Sequence, residues 1–398
     1  MSEVAVIGIG LTSWGKYPDK TTGELAREAI QAALKDANLT WKNIQYVVAG
    51  IEPFSGTHGL TAGPNIEATM GYTGIPATSI YNACATGAYL LDVGRSLVMA
   101  GLYDTILCVG SFKAPGGFFP ATGSAEDENN LDLQRFRLLG QTNPTMFAYG
   151  AMRRMYNYGM TEDDLAQIKV KNSKAGRYNP YARYQREYTK EEVMASPMVA
   201  YPLRLLEIAA TSDGAAAVII SSMKKARELS SKPVQIAAVY GPQPVYPSLN
   251  PNPFASQSEA STPAVIPGEM RAHQWYVAQG AYKQAGISPQ DLSFAEVYDL
   301  STAFELDWME DIELCKRGEA EKLLRSGDTA IGGKIPINPS GGVASFGESI
   351  PAQALLQVCE LVTQLRGNAG KRQVANAKVG LAINEGLANS VSCMILKK

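Results

Sequence analysis

The sequence predicts an α/β protein made of two similar halves, with a large insertion in the first. Three observations carry this. Short apolar strands alternate with amphipathic helices through the first 110 residues. The same order returns between residues 234 and 396. From Ser111 to about Tyr201 the alternation fails. A length of 398 residues also exceeds what one compact core normally holds.

Residues 4–10 form a continuous apolar strand that ends in Gly8 and Gly10. A dinucleotide fingerprint would need a third glycine and a helix; Trp14, Gly15 and Pro18 follow instead. Thr21 or Thr22 caps the next helix, with Leu25, Ala29, Ala33 and Leu34 facing inward. Residues 44–51 are the second strand, and 66–70 are helical. A short strand at 77–81 then leads into a helix on which Leu90, Leu91, Gly94, Leu97 and Val98 recur at helical spacing. Residues 104–110 are the next strand. This order implies a mainly parallel sheet covered by helices.

The insertion opens with loop-like stretches at 115–117 and 125–130. Amphipathic helices follow at 146–158 and 161–175, then a segment at 176–186 rich in Tyr, Arg and Pro. Such insertions commonly lie over a sheet end, where ligand sites form. A strand at 211–221 closes the first half. In the second half, strands are expected at 234–240, 294–298, 335–338, 379–383 and 391–396. Helices are expected at 271–285, 303–314 and 352–365, with a proline-rich loop at 242–267. The strand at 379–383 stands where 106–109 stands in the first half.

The stretch at 81–87, YNACATG, is the most informative. Cys84 falls on a tight strand-to-helix turn among small residues, which admit a ligand closely. A helix N-terminus would favour its thiolate, so Cys84 is a candidate nucleophile; the alternative is a buried inert thiol.

Composition removes other classes. Charged residues make up 19% of the chain and net charge is -2, without long basic or acidic runs, which argues against a nucleic-acid or anionic-membrane surface. Basic residues cluster only at 177–186. Five scattered cysteines and two histidines make no metal-ligand spacing, so no metal is expected. The odd cysteine count and an N-terminus that begins at once with a strand suggest reduced thiols in the cytoplasm. No apolar run is long enough to span a membrane.

Taken together, several motifs resemble the thiolase superfamily, close to the sterol-carrier-protein thiolases. NACATG at 82–87 is similar to the nucleophile motif, and SDGAAA at 212–217 to the strand closing the first half. EVYDLST at 296–302 stands where family members carry Glu-x-His-Asp. NPSGG at 338–342 leads into the usual Gly-His-Pro turn, and NEG at 384–386 occupies the last catalytic loop. The resemblance implies a duplicated thiolase fold, a five-layer α-β-α-β-α sandwich of two βαβαβαββ halves. The halves would be 1–230, with an inserted loop domain at 112–205, and 231–398. It further implies a coenzyme A thioester as substrate, no tightly bound cofactor, and a homodimer paired through the edge strand beside the nucleophile. Cys84 would be the nucleophile, with the N–H groups of Cys84 and Gly386 as the oxyanion hole.

The chain departs from the family where histidines belong. Tyr298 replaces the histidine of Glu-x-His-Asp, Leu300 stands where a cysteine is usual, and the Gly-His-Pro turn reads Gly347, Glu348, Ser349. Neither His58 nor His273 is at a motif position, although relatives sometimes bring a polar group from the region of His58. Glu348 is a candidate base, or a structural carboxylate capping the helix that follows. Asp299 is expected to orient the turn. Three readings follow: acyl transfer that forms or cleaves a carbon–carbon bond through Cys84; retro-aldol cleavage of a β-hydroxyacyl-CoA with Tyr298 central; or a non-catalytic acyl-CoA or lipid-binding subunit. The second is similar to a branch of steroid side-chain aldolases, which often require a small zinc-ribbon/OB-fold partner protein.

Overall fold

The computed structural model describes residues 3–52, 57–114, 142–230, 232–243, 272–387 and 390–398, and the side chains of all these except Thr57 and His58. The expected loops at 115–117 and 125–130, and most of that at 242–267, lie outside the described residues.

The first half supplies β1 (Val4–Leu11), α1 (Thr22–Asp36), β2 (Tyr46–Ile51), α2 (Thr57–Leu60), α3 (Ala62–Met70), β3 (Ala77–Ser79), α4 (Thr86–Met99) and β4 (Thr105–Phe112). The insertion follows as α5 (Asn143–Tyr158), α6 (Glu162–Gly176), α7 (Lys190–Ala195) and a hairpin of β5 (Met198–Ala200) and β6 (Leu203–Arg204). The chain returns through β7 (Gly214–Ser222) and α8 (Met223–Leu229). The second half contains β8 (Val234–Tyr240), α9 (His273–Ala285), β9 (Phe294–Val297), α10 (Thr302–Asp311), α11 (Ala320–Arg325), α12 (Gly342–Phe346), α13 (Gln353–Arg366), β10 (Val379–Glu385) and β11 (Val391–Lys397).

The strands form one sheet in the order β3-β2-β4-β7-β1-β8-β11-β10-β9. Read outward from the β1–β8 seam, each side repeats one plan: first strand, last strand, then the two or three between. This is the duplication. The seam is short, with Ala5 opposite Gln235 and Val6 opposite Val234.

Two expectations need correction. The sheet is mixed rather than mainly parallel. Strands β1 to β4 do share a direction, but β7 runs antiparallel between β4 and β1, and β11 lies antiparallel between β10 and β8. Neither β7 nor β11 is delivered by a covering helix: β7 returns from the insertion and β11 from a short loop. The second correction is the expected strand at 335–338, which shrinks to a single bridge between Ala295 and Ile337.

Helices α4 and α13 lie between the two parts of the sheet and touch at Gly87, where a Cβ would come 2.7 Å from the Leu355 nitrogen. Helix α13 is buried nearly all round, as an inner helix must be. Its Leu355, Val358 and Val362 share a core with Val48, Ile106 and Val218 from one side and Ala382, Met394 and Leu396 from the other. Helix α1 covers the outer face of the first half, and α9 and α10 that of the second. The layer order is α-β-α-β-α. Gly8 and Gly10 let α1 approach β1: a Cβ on either would collide with the α1 backbone. These glycines therefore serve helix–strand packing, not a phosphate.

Candidate active site

The site forms where the two halves' turns meet. On one side, β3 ends and residues 82–85 fold tightly into α4. The Thr86 hydroxyl stitches this turn, accepting from the Asn82 N–H at 2.8 Å and donating to the Ala83 carbonyl at 2.6 Å. Ala83 adopts φ 48°, a left-handed conformation that costs an alanine about 1 kcal/mol. The result points the half-buried Cys84 toward the second half.

On the other side, Tyr298 follows the end of β9 and is buried, its carbonyl accepting from the Trp308 indole at 2.8 Å. Glu348 sits in the turn before α13, locked to the segment that leads from the insertion into β7. Its N–H donates to the Ala210 carbonyl at 2.6 Å, and its carbonyl accepts from the Ser212 N–H at 2.8 Å. The Cys84 thiol donates to Oε1 of Glu348 at 2.8 Å, and the Tyr298 hydroxyl donates to the same oxygen at 2.6 Å. Three candidates from distant parts of the chain thus meet on one carboxylate oxygen. Glu348 does not cap the following helix; its carboxylate faces the other way, into the cluster.

Gly386 lies against this turn, and a Cβ there would strike the Asn82 carbonyl and stand 3.1 Å from the Ala85 nitrogen. Its N–H donates to the Ser390 carbonyl at 2.9 Å, so the expected oxyanion donor is engaged within its own loop.

A family model described as thiolase C-terminal domain-like matches residues 271–398. Sterol carrier protein 2 of Bos taurus is 34% identical over 413 residues, spanning 100% of this chain and 72% of that protein. The acetyl-CoA acetyltransferase of Methanothermobacter thermautotrophicus is 33% identical over 397 residues, 97% of each chain. The chain belongs to the thiolase superfamily, in its sterol-carrier-protein-2-like branch. Among solved structures, an Ltp2–ChsH2(DUF35) aldolase superposes with a TM-score of 0.81 at 26% identity, over 99% of this chain and 97% of that one. Thiolase-superfamily relatives thus include both an acetyltransferase and an aldolase.

The electrostatics of this thiolase-fold site differ from those expected of Cys84 alone. Burial and the neighbouring Glu348 push its thiol well above the ordinary range, against a weaker opposing pull from Tyr298. The helix-terminus argument for a thiolate is overridden, because the thiol turns onto a carboxylate. Burial also raises Glu348, opposed by the hydrogen bonds from Cys84 and Tyr298. Burial, Cys84 and Glu348 raise the Tyr298 phenol. Among the described residues, no Lys, Arg or His makes a hydrogen bond or ion pair with any of the three. His273 is buried at the start of α9, with Nε2 3.1 Å from the Pro242 carbonyl. The side chain of His58 lies outside the described residues. Leu300 is half-buried and packs in the second-half core.

A buried polar network supports the cluster, and only part of it was legible in the sequence. Asp299 accepts from the N–H groups of Val343 at 2.7 Å and Ala344 at 3.3 Å, holding α12 and the turn that carries Glu348. The Asn172 amide, from the insertion, bridges Asp299 at 3.0 Å and Glu305 at 2.8 Å. Lys169 donates to the Ala344 carbonyl at 2.6 Å. The Arg183 guanidinium donates to the Thr211 carbonyl at 2.7 Å and so braces the segment paired with Glu348. The other basic residues of 177–186 pair on the surface, Arg177 with Glu187 and Arg186 with Glu192. Tyr81 stands at the start of the Cys84 turn, 37% exposed, and partial burial together with Cys84, Glu52 and Glu348 raises its phenol. Among the described residues no group of His, Cys, Asp and Glu is arranged to hold a metal ion, and no helix is long and apolar enough to cross a membrane.

Proposed function

We propose that this protein is a lyase acting on a coenzyme A thioester, cleaving the Cα–Cβ bond of a β-hydroxyacyl-CoA by a retro-aldol step. One observation carries the reading: the buried Glu348 carboxylate holds the Tyr298 hydroxyl at 2.6 Å while it also holds Cys84 as a thiol. In the proposed step the substrate's β-hydroxyl proton passes to the Tyr298 oxygen as the tyrosine's own proton passes to Glu348. The Cα–Cβ bond breaks, its electron pair goes to the α-carbon, and a ketone or aldehyde departs. The thioester enolate then takes a proton back from Glu348, which restores the site. Burial, by raising the Glu348 carboxyl above the ordinary range, makes it a stronger proton acceptor for this exchange. The 26% identical aldolase supports the reading, and its DUF35 subunit supports a small zinc-ribbon/OB-fold partner for this chain. A homodimer paired through the β3 edge, in the cytoplasm, belongs to the same reading; light scattering tests the dimer.

A second reading, acyl transfer through Cys84, is favoured by the tight turn that presents the thiol and by the acetyl-CoA acetyltransferase relative. Glu348 would then take the thiol proton. Two measurements separate the readings. The first is intact-protein mass spectrometry after incubation with acetyl-CoA. The second is carbonyl-product release from a β-hydroxyacyl-CoA by Tyr298→Phe and Cys84→Ala. The lyase reading expects no acyl-enzyme, loss of release in Tyr298→Phe, and much of it kept in Cys84→Ala. An acyl-enzyme together with an inactive Cys84→Ala overturns it in favour of acyl transfer. Binding without turnover, with the partner present, leaves the non-catalytic subunit.

A further inference from the structure

A cavity of about 330 Å³ opens between α6 and the loop that follows α11, bounded on a third side by Lys371. It contains none of Cys84, Tyr298 or Glu348. Its walls carry Tyr178, Leu324 and Ile331, and three lysines (Lys171, Lys174 and Lys371) with no acidic side chain among them. Lys171 is committed to the fold: its ammonium is 2.9 Å from Glu305 and donates to the Ile337 carbonyl at 2.8 Å. The other two are differently placed. Lys174 is well exposed and only loosely paired, 3.9 Å from Glu187. Lys371 lies over the Tyr178 ring, 4.9 Å from its centre.

We propose that this cavity binds a small organic phosphate, a phosphate monoester on a ring or short apolar chain. Lys174 and Lys371 meet the charge, as lysines do for phosphate when no arginine fork is present. Leu324, Ile331 and Tyr178 cover the apolar body. The volume is at the small end for ligand sites, which span roughly 300–1,000 Å³, so it excludes a whole coenzyme A. The site is therefore separate from the thioester site and takes a different ligand.

Isothermal calorimetry of the full chain with phenyl phosphate, inorganic phosphate and phenol tests this without turnover. Its failure is thus distinct from failure of the lyase reading. Saturable binding of phenyl phosphate is expected, at least tenfold tighter than inorganic phosphate or phenol. The K174E/K371E double variant weakens it at least tenfold, with the melting temperature unchanged. No saturable heat up to about 10 mM, far beyond what a millimolar site requires, overturns the proposal. So does equal affinity in K174E/K371E, or equal binding of phenol.

Discussion

The hydroxyl of Tyr298 lies 2.6 Å from Oε1 of Glu348, and both side chains are buried. A phenol and a carboxylate so placed share a proton with little rearrangement. Glu348→Gln keeps the shape and removes the basic oxygen. We expect kcat to fall by about 10²–10⁴, the usual worth of a positioned base, with the circular dichroism spectrum unchanged. Steady-state kinetics on a β-hydroxyacyl-CoA check this. A loss under threefold would remove Glu348 from the chemistry.

The pH profile follows from the same carboxylate. Glu348 works as a base only when ionised, and burial holds its folded pKa above the ordinary carboxylate value. Activity therefore rises with pH through an apparent pKa above 4.5, and Glu348→Gln should lack this limb. A rising limb retained in Glu348→Gln would assign it elsewhere.

Stability should move the other way. Asp299 is pushed up to about 7 by burial and by Glu305, and Glu207 to about 7 by burial. The folded state thus binds more protons than the unfolded state between the ordinary values, 3.8 and 4.5, and about 7. These groups' contribution is fully present below the ordinary values and is lost as pH rises through about 7. Urea unfolding from pH 5 to pH 8 should show a decline on the order of a few kcal/mol. Asp299→Asn should make the decline shallower; an unaltered slope would count against Asp299.

Part of this was readable in the sequence. Cys84 was, because its turn is local: a strand, small residues and a helix start within a dozen positions. Tyr298 and Glu348 could be marked by motif position, but not brought within one hydrogen bond of each other. That contact depends on the chain folding back over a separation of 50 positions. The role of Asn172 was invisible for a related reason: its amide is satisfied by carboxylates 127 and 133 positions away. The mainly parallel sheet failed as an expectation because periodicity identifies strands but not the direction in which a long insertion returns the chain. Gly8 and Gly10 were legible as special, yet their partner was the backbone of α1.

Asp299 offers a test of support rather than chemistry. Asp299→Ala strands the buried N–H groups of Val343 and Ala344 and removes one of the Asn172 amide's two carboxylate partners. We expect a loss of about 2–4 kcal/mol on the scale of buried donors left unmade. The turn bearing Glu348 should loosen, so kcat falls with little change in KM. Thermal unfolding and kinetics together check this; a stable Asp299→Ala enzyme with normal kcat would show that α12 is held elsewhere.

The last loop can be pushed directly. Gly386→Ala places a methyl against the Asn82 carbonyl, a backbone atom that cannot swing aside. We expect at least a tenfold drop in kcat, because displacement of about 1 Å near a reacting centre can cost 10²-fold. Normal turnover by Gly386→Ala would mean that this loop can retreat from the Cys84 turn at no cost.

The repeated strand order on either side of the β1–β8 seam has an evolutionary corollary. Two identical copies of one unit would give a crevice with matching walls, and any residue placed on one wall would be forced on the other. Joining the copies in one chain frees them to diverge. One wall now contributes a thiol, while the other contributes a phenol and a carboxylate, and only the first copy acquired the insertion whose residues brace that carboxylate. The asymmetry needed to move a proton in one direction is thus inherited from a symmetric scaffold that was released from its symmetry by fusion.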